Sequence, residues 1–444
     1  MTQEGYNPTM AETAQPPERV APLSDALKII ALPELSVKLA IGATVSEAAE
    51  GRLVTFEGES VVVHEDDVKF ARKIAERLAS KLGRKLSPGR LVTACTYASQ
   101  FVAEEMFRPD TVRVMFYSTI SKASAFYRCM TPVYVLNFSQ RVKASVATGK
   151  YGREILEYDV ISVQLDNAPS TIDLFGKLKA MGKKVVYEAD DAFDMLEPWH
   201  PQYASWTSEK IDQSIQMMKL ADMVTVSTPW LAEHFRKYNR NIQVIPNLID
   251  LVVWPAAAHA EKRDSFRVVW AGSSSHKGDL DLVIPALETF ARLNPTVKLV
   301  FFGQEPYGIN VPEDQIEYHE AVDFENYSQK LASLDADVAI APLVDCPFNR
   351  GKSNLRVIQY MACGWPVIAS DVEPYSKTMR EGGGAIGGLL VDNQEGWIGA
   401  LEFMLKRPDV RKILSKDCTA VARKHDLRSW TPKIEKMFLD LVTG

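Results

Sequence analysis

The sequence of 444 residues is too long for one ordinary hydrophobic core, so its length favours two or three domains. Its 46% hydrophobic and 24% charged residues are typical of a soluble globular protein, and its net charge of −6 gives no overall reason to bind nucleic acid, although a local basic patch stays open. Five cysteines occur without a C-x-x-C pair, no apolar run of about 18 residues is present, and the N-terminus does not look like a signal peptide. These features predict reduced thiols, a cytoplasmic location, no zinc site and no membrane-spanning helix.

The first part of the chain divides into a tail and an extension. Residues 1–22 are polar and rich in proline, which predicts a disordered tail. Residues 23–110 contain a hairpin-like segment, "RLVTFEGESVVVHE", and then a helix from about Asp67 to Leu82 with apolar residues at helical spacing. Between Val68 and Arg90 there are eight Lys or Arg and one Glu, a net charge of +7. This basic helix is either a solvated surface or a contact for an anionic acceptor, such as lipid headgroups or nucleic acid.

Strands then alternate with helices in two series. The first series, in residues 111–250, comprises "VRVMFY", "VISVQL", "KKVVYEAD", "MVTVST" and "NIQVIPN". The second, in residues 264–425, comprises "FRVVWAG", "VKLVFFG", "IEYHEAV", "DVAIAPL", "PVIAS" and "GGLLV". This alternation predicts an α/β protein with two Rossmann-like parallel-sheet domains. Ligands of such sheets bind beyond the carboxyl ends of the strands, so we expect a site in the cleft between the domains.

The segment "NRGKSNLRVIQYMACGWPVIAS", residues 349–370, reads as loop, helix and short strand. Its Gly-Lys-Ser resembles the end of a P-loop, but that motif requires a second glycine five residues before Gly351, where this chain has Cys346. A helix N-terminus with Lys352 beside it still suits an anion, because unpaired N–H groups and a full positive charge converge there. The alternative is that Ser353 or Asn354 only caps its own helix and that Lys352 is a solvated loop residue.

Several segments resemble a GT-B glycosyltransferase, most closely the retaining glycosyltransferase family 4. In the second half, residues 268–287, 322–343 and 351–370 resemble the pieces that surround the sugar-nucleotide site of that family. In the first half, residues 117–136 and 185–196 are similar to a subgroup found in bacterial surface-glycan clusters and phage genomes. The resemblance extends over about residues 111–425 and implies an enzyme that transfers a sugar from a nucleotide-diphosphate sugar.

The resemblance also implies which residues bind the donor. Lys352 is expected to stabilise the diphosphate during catalysis, and Lys277 matches a second basic residue that reaches it. The remaining expected donor-binding residues are Gly272, Ser273, Ser274, His276, Asn349, Gly351, Ser353, Asn354 and Gln359. The family usually has two glutamates with seven residues between them, which fall here on Gly351 and Gln359. Gln359 can still bond a ribose diol, whereas Gly351 offers no sugar contact, which Asp345 would have to supply.

Acidic residues follow a strand of the first domain, in "EADDAFD". Asp190 and Asp191 are candidates to orient an acceptor hydroxyl or accept its proton; alternatively they cap the next helix. In the resembling family the leaving phosphate itself helps to accept the proton, so a dedicated base is not required. No cofactor is expected, and a divalent metal is allowed but not expected, because the two lysines neutralise the diphosphate.

Two further segments have weaker signals. Ser118, Thr119 and residues 121–124 form a small-residue loop before Tyr127 and Arg128, which either faces the cleft or begins a surface helix. The last segment, residues 426–444, contains a helix that in GT-B proteins commonly crosses back to the first domain.

The sequence therefore predicts a retaining glycosyltransferase, with a hexose or pentose as the transferred sugar, in surface-glycan synthesis with a glycan or lipid-linked acceptor. The alternatives are a phage-type DNA glycosyltransferase acting on a hydroxylated base, a non-catalytic nucleotide-sugar-binding homologue, and an epimerase on the same architecture.

Overall fold

The computed structural model describes residues 25–48, 51–56, 59–83, 91–105, 111–119, 123–148, 152–251, 254, 265–323, 326–380 and 386–444. The predicted tail at 1–22 and most of the link between the two strand series lie outside these residues, as do residues 84–90 of the basic segment. Within the described part of the chain, no helix combines the length and apolar character needed to cross a membrane.

The N-terminal extension contains three helices and a small antiparallel sheet. Its elements are α1 (Asp25–Ala40), β1 (Thr44–Ala48), β2 (Gly51–Phe56), β3 (Glu59–Val63), α2 (Glu65–Leu82) and α3 (Leu91–Glu105). The predicted hairpin corresponds to β2 and β3, and the predicted helix to α2. Val68, Ala71, Ile74 and Leu78 of α2 are buried because their spacing places them on one face. Ala71, Ile74 and Leu78 belong to a hydrophobic core shared with the first large domain.

The first large domain, or first lobe, is built on a six-stranded parallel sheet in the order β5-β4-β6-β7-β8-β9. Its strands are β4 (Val112–Ser118), β5 (Val142–Thr148), β6 (Val160–Gln164), β7 (Lys184–Ala189), β8 (Met223–Val226) and β9 (Ile242–Val244). Its helices are α4 (Ala123–Ala125), a π-helix (Phe126–Met130), α5 (Thr131–Leu136), α6 (Pro169–Ala180), α7 (Ser208–Leu220) and α8 (Pro229–Phe235). Every residue of β6 and β8 is buried, as expected for strands covered on both faces.

The second large domain, or second lobe, repeats this plan with strand order β12-β11-β10-β13-β14-β15. Its strands are β10 (Arg267–Gly272), β11 (Lys298–Gly303), β12 (Ile316–Glu320), β13 (Val338–Ala341), β14 (Val367–Ser370) and β15 (Gly388–Val391). Its helices are α9 (Lys277–Asp281), α10 (Ile284–Leu293), α11 (Tyr327–Ala332), α12 (Pro347–Gly351), α13 (Leu355–Ala362), α14 (Tyr375–Arg380), α15 (Gln394–Lys406) and α16 (Pro408–Arg423). The predicted α/β fold with two parallel sheets is confirmed.

The last helix, α17 (Thr431–Thr443), packs on the first lobe. Its buried residues Ile434, Phe438 and Leu441 enter the core that contains β4, and the Phe438 ring meets Phe116 edge-on at 5.7 Å between centroids. The chain therefore returns to its first lobe after completing the second.

Candidate functional site

The two lobes meet where the carboxyl ends of β7 and β10 face the start of α13. Thr228 of the first lobe donates a hydrogen bond from Oγ1 to the Gly351 carbonyl at 3.1 Å, and Gln359 donates from Nε2 to Tyr127 Oη at 2.7 Å. A third bond joins Asn247 Nδ2, just after β9, to Ser353 Oγ at 2.9 Å. Three of the predicted donor-binding residues thus lie directly at the junction between the lobes.

A charged cluster occupies the second-lobe wall of this junction. Asp279 is fully buried, and its Oδ2 lies 2.8 Å from His276 Nδ1 and 3.9 Å from Lys352 Nζ. Burial opposes its charge, but the His276 hydrogen bond and the Lys352 charge hold the pKa of Asp279 below its ordinary value. Burial, with the Arg356 and Lys352 charges, brings the pKa of His276 well below its ordinary value, so the imidazole is neutral at pH 7. Lys352 Nζ lies 3.5 Å from His276 Nδ1, although the two residues are 76 positions apart in sequence.

Arg356 is the functional candidate that sequence reasoning missed. It is only 9% exposed, and its Nη1 is buried without a hydrogen-bond partner. The guanidinium lies 5.6 Å from the centre of the Trp270 ring and is close enough to lower the pKa of Lys352, on which burial acts most strongly. A buried donor without a partner is costly, and an anion at this position would satisfy it. The sequence signal that could have identified Arg356 was an arginine in a helix, α13, whose other residues are mostly apolar.

Asn349 is fully buried behind this cluster. Its Nδ2 donates to Asp279 Oδ1 at 2.8 Å and to the Val344 carbonyl at 2.9 Å, and Val344 N–H donates to the same Asp279 oxygen. The observed contacts of Asn349 therefore hold Asp279 in place.

The loop after β10 approaches the cluster through Gly272. A Cβ at Gly272 would lie 2.7 Å from the Trp270 ring and 3.0 Å from Arg356 Nη2, so only glycine fits beside the guanidinium. Ser273 and Ser274 follow it, both exposed, and lead into the turn that presents His276. Lys277 is not brought to the cluster, because its Nζ pairs with Asp281 at 2.7 Å on the exposed side of α9.

The start of α13 has no side-chain cap. Asn354 donates instead to Thr378 Oγ1 at 2.7 Å, and Ser353 accepts the bond from Asn247. The capping alternative for these two residues is wrong. Lys352, at 9% exposure and 5.0 Å from the centre of the Phe348 ring, is not a solvated loop residue either.

Gly351 and Gln359, at the two positions where the resembling family usually has glutamates, have different surroundings. A Cβ on Gly351 would lie 3.1 Å from the side chains of Leu231 and Trp230 in α8, so the lobe contact leaves no room for a glutamate. Gln359 is buried, and its amide bonds Tyr127 of the opposite lobe. Asp345, considered as a substitute sugar contact, forms an exposed pair with Arg350 at 2.6 Å and lies on the surface.

Asp190 and Asp191 follow β7 on the first-lobe wall. Burial and the neighbouring Asp190 charge raise the pKa of Asp191 to about 7, against the opposing effect of Lys352. Burial also raises the pKa of Asp190, although the Arg128 charge opposes the increase. Neither residue caps a helix, because the next turn, Phe193–Met195, has no side-chain cap. A pKa near 7 is the value that suits an acid–base group at neutral pH.

A buried ion pair supports this wall. Arg128 donates from Nε to Glu188 at 2.7 Å and from Nη1 to the Ile245 carbonyl and to Asn247 Oδ1, at 2.6 and 2.9 Å. Arg128 is 1% exposed, so the surface-helix alternative for it is wrong. Residues 120–122 of its loop lie outside the described part of the chain. Arg128 fixes Asn247, which in turn contacts Ser353 across the junction.

A second group missed from the sequence lies between β7 and α7. His200 is buried; its ring meets Phe348 of the second lobe edge-on at 4.9 Å, and its Nδ1 accepts a hydrogen bond from Gln202 N–H. Burial and the Lys352 charge lower its pKa. This first-lobe segment therefore reaches across the cleft to the cation cluster.

No set of three or more His, Cys, Asp or Glu side chains in the described ranges is arranged to hold a metal ion.

The second lobe matches the family model described as "Glycosyl transferases group 1" over residues 265–407. No curated protein matches the chain. Among solved structures, sucrose-phosphate synthase from Thermosynechococcus elongatus is 15% identical, with a TM-score of 0.56 over 75% of this chain and 99% of that one. Alr3699/HepE from Anabaena, solved in complex with UDP, is 13% identical, with a TM-score of 0.54 over 75% and 100%. A glycosyltransferase from Rickettsia africae ESF-5 is 12% identical, with a TM-score of 0.54 over 76% and 100%.

The chain has the GT-B fold. At these identities the likeness to solved structures concerns the fold alone. In this fold, the two sheets of Rossmann-like domains face each other across the junction that contains Lys352, Arg356 and Asp191.

Replacing Gly351 by glutamate tests whether Trp230 and Leu231 exclude a larger side chain at this position. We expect Gly351→Glu to lower the free energy of unfolding by about 1–3 kcal/mol, because overpacking against Trp230 and Leu231 displaces α8. Gly399→Glu is the control, since that glycine faces open space on α15. Denaturant unfolding measures both. A Gly351→Glu protein with undiminished stability would contradict the steric account.

Replacing Asp191 by asparagine tests the raised pKa. A folded-state pKa of about 7, against an ordinary value of 3.8, means that stability falls as pH rises from about 4 to about 7. A pKa difference of about three units means that the ionised Asp191 carboxylate lowers the free energy of unfolding by at most about 4 kcal/mol. Because Asp191 is partly exposed, we expect Asp191→Asn to raise the free energy of unfolding at pH 8 by only about 1 kcal/mol.

Thermal unfolding at pH 4 and pH 8 measures this difference. The gain should vanish at pH 4, and the exposed control Asp281→Asn should show none. Equal stability of Asp191→Asn and the wild type at pH 8 would show that the Asp191 carboxylate carries no burial cost.

Proposed function

We propose that this protein is a glycosyltransferase that moves a sugar from a nucleoside-diphosphate sugar to an acceptor hydroxyl, with retention at the anomeric carbon. The observation that carries the proposal is the excess of buried positive charge at the start of α13. On the second-lobe wall, Lys352 and Arg356 face one buried carboxylate, that of Asp279, and Arg356 Nη1 has no partner. Asp191 acts on Lys352 from the opposite wall. A diphosphate supplies the missing negative charge.

The chemistry follows from this charge. As the glycosyl bond breaks, negative charge accumulates on the leaving diphosphate, and fixed cations away from water stabilise the leaving group more than the less negative diphosphate of the intact donor. The uncapped N-terminus of α13 adds its N–H groups to the same anion. Because Lys352, Arg356 and the helix N-terminus all supply positive charge to the diphosphate, the proposal includes no cofactor and no required metal.

On the opposite wall, Asp191 is proposed to orient the acceptor hydroxyl and to exchange its proton, with a pKa of about 7 suited to that role. Asp190 keeps that pKa high and is the second candidate. Retention and a role in surface-glycan synthesis come from the sequence resemblance, in which the leaving phosphate assists the proton transfer on one face of the sugar.

One observation favours a second function. The contact of Gly351 with Trp230 leaves no place for the family's sugar-binding glutamate, and Gln359 is engaged with Tyr127. A non-catalytic protein that binds nucleotide sugars would need neither residue. It would bind a donor tightly without hydrolysing or transferring it.

A thermal-shift screen of nucleotide sugars, followed by product analysis, separates the two functions. A ligand that prefers the native state raises the melting temperature, and UDP-sugars are the first probes because Alr3699/HepE was solved with UDP. Slow release of free sugar from the stabilising donor, with the anomeric configuration retained in the product seen by proton NMR, supports the enzyme. Tight binding without turnover over a broad acceptor set supports the non-catalytic protein.

Lys352→Ala tests the proposed cation. We expect the turnover of donor to fall by about two orders of magnitude, the effect of removing one group that stabilises charge in the transition state. Lys436→Ala is the control, because that lysine forms an exposed pair with Asp440 on α17. Lys277→Ala in the same assay measures whether the residue expected from the resemblance contributes despite its pairing with Asp281. Near-normal turnover of Lys352→Ala would refute the site assignment.

Arg356→Gln tests the unpartnered guanidinium. A hydrogen bond to a charged group is worth about 1.5–3 kcal/mol, so UDP should bind roughly ten- to a hundredfold more weakly. Uridine lacks phosphates, so its affinity should be unchanged. Arg380→Gln, in an exposed pair with Asp371, is the control. Calorimetric titration measures both ligands, and equal losses for UDP and uridine would indicate that Arg356 has only a structural role.

A further inference from the structure

The segment between β7 and α7 has exposed aromatic side chains close to the cation cluster. Trp199 is 41% exposed and Tyr203 is 48% exposed, in a chain whose other large aromatic side chains are mostly buried in the described residues. We name residues 196–207 the aromatic loop. Its exposed rings are the feature that the proposed reaction at Lys352 and Asp191 does not use.

The aromatic loop is held firmly in place. Trp206 stacks on Phe193 at 4.9 Å between ring centres with 16° between the planes, and His200 packs on Phe348. Backbone hydrogen bonds from His200 to Glu197 and from Tyr203 to His200, both 2.9 Å, fold the segment into turns. The exposure of Trp199 therefore belongs to a fixed ring.

Trp199 also lies beside the donor wall. A Cβ on Gly278 would be 3.0 Å from the indole, so the absence of a side chain there lets one edge of Trp199 rest on α9. The next residue, Asp279, bonds His276 in the cation cluster. On the other side, the aromatic loop begins five residues after Asp191. The first-lobe indole therefore lies against the second lobe, next to the helix that carries Asp279.

We infer that Trp199 is the stacking platform for the acceptor and that the acceptor is a carbohydrate; this rests on the proposed function. A fixed aromatic face matches the apolar C–H face of a sugar ring, and nearby carboxylates accept hydrogen bonds from its hydroxyls. A base in DNA would also stack, but its flanking phosphates would meet Asp190, Asp191 and Glu197, whose charges repel them. The first-lobe wall is acidic, which suits a neutral, hydroxyl-rich acceptor.

The test compares Trp199→Ala and Trp199→Phe with Phe403→Ala, whose ring is 39% exposed on the outer helix α15. Two activities are measured with the donor found by thermal shift: its hydrolysis without acceptor, and its transfer to a panel of free oligosaccharides and to duplex DNA containing hydroxymethylated bases. Trp199→Ala should raise the acceptor KM for the best oligosaccharide about tenfold while donor hydrolysis and UDP affinity stay within twofold. Trp199→Phe should recover most of the loss, and Phe403→Ala should show none.

Each other outcome has a distinct meaning. An unchanged acceptor KM in Trp199→Ala, or transfer to the DNA and to no oligosaccharide, overturns the inference while the proposed glycosyl transfer stands. Donor hydrolysis by the wild type without transfer to any oligosaccharide also overturns it. A wild type that neither hydrolyses nor transfers any donor contradicts the proposed function itself, and the inference with it.

Discussion

Two positive charges held away from water impose the main constraint on this structure. Lys352 and Arg356 are each 9% exposed, and the buried carboxylate of Asp279 is already engaged by His276, Val344 and Asn349. Burial, together with the Arg356 and Lys352 charges, lowers the pKa of His276, so the imidazole adds no positive charge. Burial of uncompensated charge is expensive, so the site is arranged for an anion that arrives from outside. The absence of a side chain at position 272 lets the loop after β10 lie beside the Arg356 guanidinium, and the start of α13 has no side-chain cap.

The two walls of the cleft carry opposite charges. Cations line the second-lobe wall, and Asp190 and Asp191 line the first-lobe wall, with the lobes joined by hydrogen bonds at Gly351, Ser353 and Gln359. A closed junction of this kind excludes water and strengthens electrostatic interactions inside it. It also explains why the wall opposite the diphosphate can hold a carboxylate whose pKa is near neutral. Our proposal therefore assigns donor and acceptor chemistry to different lobes.

The sequence predicted the fold well because both sheets consist of short apolar runs with regular spacing. It missed β5, where Val142, Ala144 and Val146 alternate with polar or small residues and give a weaker signal. Lys352 could be predicted as a donor-binding residue because the Gly-Lys-Ser segment that suggests it is local in sequence. Arg356 was missed because its importance depends on Trp270 and Gly272, about 85 residues earlier, and sequence spacing does not reveal such contacts.

Lys277 and Gly351 also have contacts that the sequence did not predict. Lys277 occupies the expected position, yet an (i, i+4) pair with Asp281 draws it to the surface. Gly351 was expected to bind the donor, whereas its close neighbours are Trp230 and Leu231 of the other lobe. A crystal structure with bound UDP or GDP tests the central claim most directly. The account predicts the pyrophosphate at the start of α13, within hydrogen-bonding distance of Lys352 and Arg356; phosphates bound elsewhere in the chain would contradict it.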